Sequence, residues 1–92
     1  MAEIRTRCTQ GHLVVTDEYI RLEKAGLPLF SKHYTILRSQ LTGIESKVVA
    51  PSFKGKGGTM NLVFHGAGLE LIKATLVKGD VARQILSMLQ HP

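Results

Sequence analysis

The stretch Lys54-Gly55-Lys56-Gly57-Gly58 is where this 92-residue chain concentrates residues suited to binding chemistry. Glycines let backbone N–H groups approach an anion closely, and the two lysines supply positive charge. The spacing is not that of a nucleotide-binding P-loop, because Lys56 is followed by Gly57 and Gly58 rather than by serine or threonine. Phe53 precedes the first lysine, and an exposed aromatic in that position can insert at a lipid interface. Lys47 lies a few residues upstream. Lys47, Phe53, Lys54, Gly55 and Lys56 are therefore the candidate ligand-binding residues, for an anion or a lipid head group. A solvated, mobile hairpin loop would have the same composition.

Other constellations carry less. Cys8 and His12 are spaced C-x3-H and offer two metal ligands, where a structural zinc site needs four and a catalytic one usually three. Only the distant His33, His65 and His91 are left to complete a set, so a free thiol near a strand is the simpler account. His33, His65 and Asp17 with Ser31 or Ser39 make a hydrolytic group on paper only, and no G-x-S-x-G elbow is present. The expectation is a non-enzyme with no catalytic residues, no metal and no cofactor. RNA-binding sheets stack bases on exposed aromatics beside basic residues. Tyr19, Phe30, Tyr34, Phe53 and Phe64 are the aromatics available here, and no RNP-like signature accompanies them.

The charge balance is 12 Lys+Arg against 7 Asp+Glu, a net of +5. An excess of that size on a small chain favours acidic partners: lipid head groups, nucleic acid or an acidic protein. No acidic residue lies between Glu45 and Glu70, whereas Lys47, Lys54 and Lys56 all do. At roughly 1 kcal/mol per basic residue near an anionic membrane, three lysines supply only about 3 kcal/mol, too little to hold a monomer on a bilayer. A single cysteine excludes an intramolecular disulfide and fits a reducing compartment. The longest apolar runs are three or four residues and the N-terminus is polar, so a cytoplasmic protein is expected rather than a membrane-spanning or secreted one.

The elements that must position these residues follow from their periods. His12–Thr16 is β-prone, Asp17-Glu18 is a polar turn, and Tyr19–Glu23 alternates with Ile20 and Leu22 inward and Arg21 and Glu23 outward. These form a tight hairpin. A third strand is predicted from about Ser31 to Leu37, ending in a polar or short helical turn over Arg38–Gly43. Ile44–Val49 and Thr59–His65 alternate again, with Met60, Leu62 and Phe64 sharing a face. A glycine turn then leads into Leu69–Lys73. From Asp80, predicted as the N-cap, the period changes to that of a helix. Val81, Ala82, Ile85, Leu86, Met88 and Leu89 fall on one stripe through Gln90. So short a helix must pack on the sheet to be stable. The expected class is α+β, one domain over 1–92, with six to seven antiparallel strands in a barrel or bent sheet capped by one C-terminal helix.

That layout resembles the pleckstrin-homology-like (PH-like) superfold, in particular its small bacterial members. The resemblance runs from Gly11 to Leu89. It rests on the hairpin Leu13–Leu22, on Tyr34–Leu37 followed by Leu41-Thr42-Gly43-Ile44, on Asn61–Phe64 before a glycine turn, and on the closing helix Val81–Leu89. Tryptophan is absent, which places the chain nearer the bacterial relatives than the eukaryotic domains. The resemblance implies a binding or assembly module engaging a protein partner or copies of itself, with an anionic membrane surface as a second ligand class. Nucleic acid bound by a small β-barrel is the alternative.

Overall fold

Period-two alternation decides most of the chain's course, and the structure, a computed structural model, describes residues 3–24, 33–50, 58–68 and 71–90. Strands β1 (Glu3–Cys8), β2 (Gly11–Thr16), β3 (Tyr19–Lys24) and β4 (His33–Leu37) form one antiparallel sheet in that order. A 3-10 turn, Arg38–Gln40, leads to a second sheet of β5 (Leu41–Ala50), β6 (Thr59–Gly66) and β7 (Leu71–Lys78). Helix α1 (Gly79–Gln90) follows β7 directly. The expected hairpin is β2–β3, in the register Leu13↔Leu22 and Val15↔Ile20. Its turn is held by the Thr16 hydroxyl, which accepts from the Glu18 and Tyr19 N–H groups, both at 3.1 Å.

The core forms between the two sheets and the helix. Leu13, Val15, Ile20, Leu22 and Ile36 come from the first sheet, and Met60, Leu62, Phe64, Ile72, Ala74 and Val77 from the second. Ala82, Ile85 and Leu89 come from α1, with Val81, Leu86 and Met88 half-buried beside them. The helical stripe is thus the one its spacing predicts. Val14 is buried on the opposite side of the first sheet, between Arg5 and Arg21 in the strand register. Arginine stems of this kind cover apolar surface while their charged ends stay in water.

Several expectations are corrected. Among the described residues the sheets do not close into a barrel; at one corner between them the Thr9 N–H donates to the Thr75 carbonyl at 2.9 Å. Strand β1 was not foreseen, since its inward positions are Ile4, Thr6 and Cys8 and its outward ones Glu3, Arg5 and Arg7, a weakly apolar alternation. Strand β7 runs on to Lys78, beyond the predicted Lys73, because two residues, Thr75 and Leu76, bulge opposite Asn61 and interrupt the alternation. Leu76 sits at φ 59°, a left-handed conformation that a bulky side chain rarely adopts. Its N–H is held by Asn61 Oδ1 at 3.0 Å. Asp80 lies inside the first helical turn rather than at the cap, where its charge complements the helix dipole. The Gly79 N–H is instead satisfied by the Gly58 carbonyl at 2.9 Å. At the far end of the helix, Arg38 Nη2 donates to the Leu89 carbonyl at 2.6 Å, supplying a partner and a positive charge where helix carbonyls have none. Among the described residues no helix is long and apolar enough to cross a membrane.

Candidate ligand cleft between the sheets

A cleft opens between the two sheets. Leu22 and Lys24 project from the same face of β3, since alternate residues of a strand share a face. The pairing Leu22↔Tyr34 adds Tyr34 of β4 to that face. Leu71 and Lys73 approach from β7, and Gln10 from the β1–β2 turn. Among the described residues these line a cleft of roughly 370 Å³, a size in the lower part of the range for small-ligand sites. A second hollow of roughly 230 Å³ adjoins it along β4, sharing Tyr34 and Leu71 and reaching His33, Thr35 and Ile72. Strand β4 ends its sheet, so among the described residues no strand pairs with its other side.

The chemistry of the cleft is mixed. Leu22 is buried and forms an apolar floor, while Tyr34 and Leu71 are 39% and 42% exposed and form its rims. The Lys24 ammonium lies 5.0 Å from the centroid of the Tyr34 ring, an attraction that orients the lysine over the ring. Lys73 brings a second positive charge, and among the described residues that line the cleft there is no carboxylate. Gln10 is held in place by Thr75: its Oε1 accepts from the Thr75 N–H at 3.0 Å and its Nε2 donates to the Thr75 hydroxyl at 3.0 Å. Two cations, an aromatic face and an apolar floor suit a ligand that carries a negative group on an apolar body.

Of the predicted site residues the structure describes Lys47, which stands away from the cleft. Lys47 is exposed on β5, opposite Asn61, at the edge of the second sheet remote from β7. Phe53, Lys54, Gly55 and Lys56 lie outside the described residues, as do Ser31, Glu70 and His91. Cys8 and His12 belong to one hairpin, but Cys8 pairs with Gly11 and His12 with Arg7, so their side chains leave opposite faces and do not converge. Burial pushes the Cys8 thiol pKa up, only partly offset by backbone N–H groups of Gln10 and Gly11. Among the described residues no three His, Cys, Asp or Glu side chains are grouped to hold a metal ion. His65 meets Glu45 instead, Nε2 to Oε2 at 3.0 Å, on the exposed face of the second sheet.

Sequence reasoning missed the cleft because its residues come from four separate segments. One signal was available: in Ile20-x-Leu22-x-Lys24 the alternation that buries two apolar residues puts a lysine at the third inward position. Comparison with protein-family models, with curated proteins and with solved structures finds no match.

Proposed function

We propose that this domain is a non-catalytic binding module of PH-like architecture that takes an extended, acidic segment of a protein partner into the cleft between its sheets. A four-stranded sheet, a three-stranded sheet and a C-terminal helix in this order support the architectural part of that reading. The observation that carries the functional part is a cleft lined by Lys24, Lys73, Tyr34 and Leu22, beside an edge of β4 that no strand among the described residues pairs. An extended segment can pair with an open strand edge through its backbone while alternate side chains enter adjoining pockets. A membrane is the weaker match: two lysines supply about 2 kcal/mol against an anionic surface, and a concave, aromatic-lined cleft adds nothing to contact with a flat bilayer.

The test is titration with a short synthetic peptide of alternating glutamate and leucine, followed by amide chemical shifts. Shifts concentrated on β4 and β7, and abolished in the Lys24→Glu/Lys73→Glu variant, support the reading. Undisturbed β4 and β7 amides at saturating peptide would reject it. Parallel co-sedimentation with anionic vesicles and titration with single-stranded RNA separate the lipid and nucleic-acid alternatives, each of which would require salt-sensitive binding.

A further inference from the structure

Strand β5 is the longest among the described residues, ten residues, and it ends the second sheet. Its one strand partner among the described residues is β6, which leaves a row of backbone N–H and C=O groups open along the other side. Natural proteins usually blunt such an edge with a short strand, a proline or a covering loop. Here the edge is long, and Val48 and Val49 on it are 51% and 47% exposed. The pairing Ile44↔Phe64, Ser46↔Leu62 and Val48↔Met60 puts Ile44, Ser46 and Val48 on the core-facing side. Glu45 and Lys47, opposite Val63 and Asn61, stand on the outer side. Register shifts fall at Leu41/Gly43 and Val48/Ala50, so Ile44–Val48 is the regular part of the strand.

That regular part is self-complementary. Read in either direction from Ser46, Ile44-Glu45-Ser46-Lys47-Val48 presents a charged residue and then an aliphatic one, with the two charges opposite in sign. We propose that β5 pairs antiparallel with β5 of a second copy about a twofold axis through Ser46, setting Glu45 of each chain opposite Lys47 of the other. Ile44 then faces the partner's Val48 on the core side, and the two sheets become one six-stranded sheet.

The neighbouring registers are disfavoured for a definite reason. A continuous sheet keeps outer residues opposite outer residues, so the register can shift only in steps that preserve the face. One step to one side sets Glu45 against the partner's Glu45; one step to the other sets Lys47 against the partner's Lys47. Like charges directly opposite each other are destabilising, and opposite charges are favourable. His65 already holds one oxygen of the Glu45 carboxylate at 3.0 Å, which keeps that side chain on the outer face and leaves its second oxygen for the partner's lysine. The interface uses the edge opposite β7, on residues separate from those of the cleft, so either proposal can fail without the other.

The test reads solution mass by light scattering, with circular dichroism to establish folding. The wild type is expected to reach twice the 10.1 kDa chain mass. Glu45→Lys makes all four paired side chains positive and Lys47→Glu makes all four negative, so each variant alone should dimerise more weakly by roughly tenfold or more. Mixing the two variants restores an opposite charge at every pair, and the mixture should associate like the wild type. Ser46→Cys puts two thiols across the axis, within the Cα separation a disulfide requires, and should cross-link under mild oxidation. A wild type that stays monomeric at high concentration overturns the proposal. So does a dimer indifferent to both charge reversals, or a mixture of the variants that fails to associate while each is folded.

Discussion

Gln10 and Thr75 are joined by both ends of the glutamine amide: Oε1 accepts the Thr75 N–H, and Nε2 donates to the Thr75 hydroxyl. Sixty-five residues apart in sequence, the pair lies where the turn after β1 meets the bulge of β7. Beside it the Thr9 N–H reaches the Thr75 carbonyl at 2.9 Å, so Thr75 has its N–H, carbonyl and hydroxyl all engaged. This is one joint between the two sheets, and Gln10 is also a wall of the cleft.

Gln10→Ala should therefore act on two properties at once. It leaves the part-buried Thr75 N–H and hydroxyl without their partner, which costs about 1–2 kcal/mol. Chemical denaturation should report that loss, and amide exchange at Thr75 should rise more than exchange at the far end of β7. Uniform exchange along β7 would show that the joint does not depend on the glutamine.

The helix is expected to be indispensable. Ile85 and Leu89 are buried in the core. Replacing Ile85 by aspartate removes an apolar side chain and inserts an unpaired charge, together about 6 kcal/mol or more. The whole stability of a domain this size is on the order of 5–10 kcal/mol. Ile85→Asp and Leu89→Asp should thus be largely unfolded by circular dichroism, while Ser87→Asp on the exposed face of the same helix should stay folded, losing no more than about 1 kcal/mol to the helix dipole. A cooperatively folded Ile85→Asp protein would show that α1 does not close the core.

Leu76 is a site where a smaller residue should do better. Its side chain is 53% exposed and its φ is 59°. A left-handed conformation costs an L-residue about 1–2 kcal/mol, against about 0.5–1 kcal/mol of extra chain entropy that glycine loses on folding. Leu76→Gly should raise stability by up to about 1.5 kcal/mol, at about 4–8 °C of Tm per kcal/mol for a domain of this length. A lower Tm would mean that the leucine contributes more through packing than its conformation costs.

Cys8 sets a limit at alkaline pH. Burial raises its thiol pKa in the folded state above the ordinary 9.0. The unfolded chain then ionises first, so the contribution of the neutral thiol is fully present below that value and is lost as pH rises through the folded pKa. Stability measured by denaturant should decline above pH 9.0, and Cys8→Ala should flatten that decline. Alkylation of the folded protein at neutral pH should also be slower than that of a free thiol. An unchanged pH slope in Cys8→Ala would assign the decline to other groups.

Much of this architecture is written in local periodicity. The β2–β3 hairpin, the inward set Met60, Leu62 and Phe64 and the buried stripe of α1 all follow from spacing, because the side chains of a strand or helix repeat at a fixed angle whatever surrounds them. β1 was hidden because threonine and cysteine occupy inward positions next to charged neighbours. The end of β7 was hidden because a bulge breaks the alternation from which strands are read.

Spacing along the chain gives the inward sets of β3, β6 and α1, the change from strands to a helix, and the symmetry of Ile44–Val48 about Ser46. Packing of the sheets decided that β5 and β4 end them and that Lys24, Tyr34 and Lys73 line a common cleft. It also decided that Arg38 reaches the end of the helix at Leu89 and that Gln10 ties the two sheets together at Thr75. The reason is physical: periodicity is a property of neighbours along the chain, whereas an edge, a cleft and a joint are made by segments that meet only once the sheets have packed.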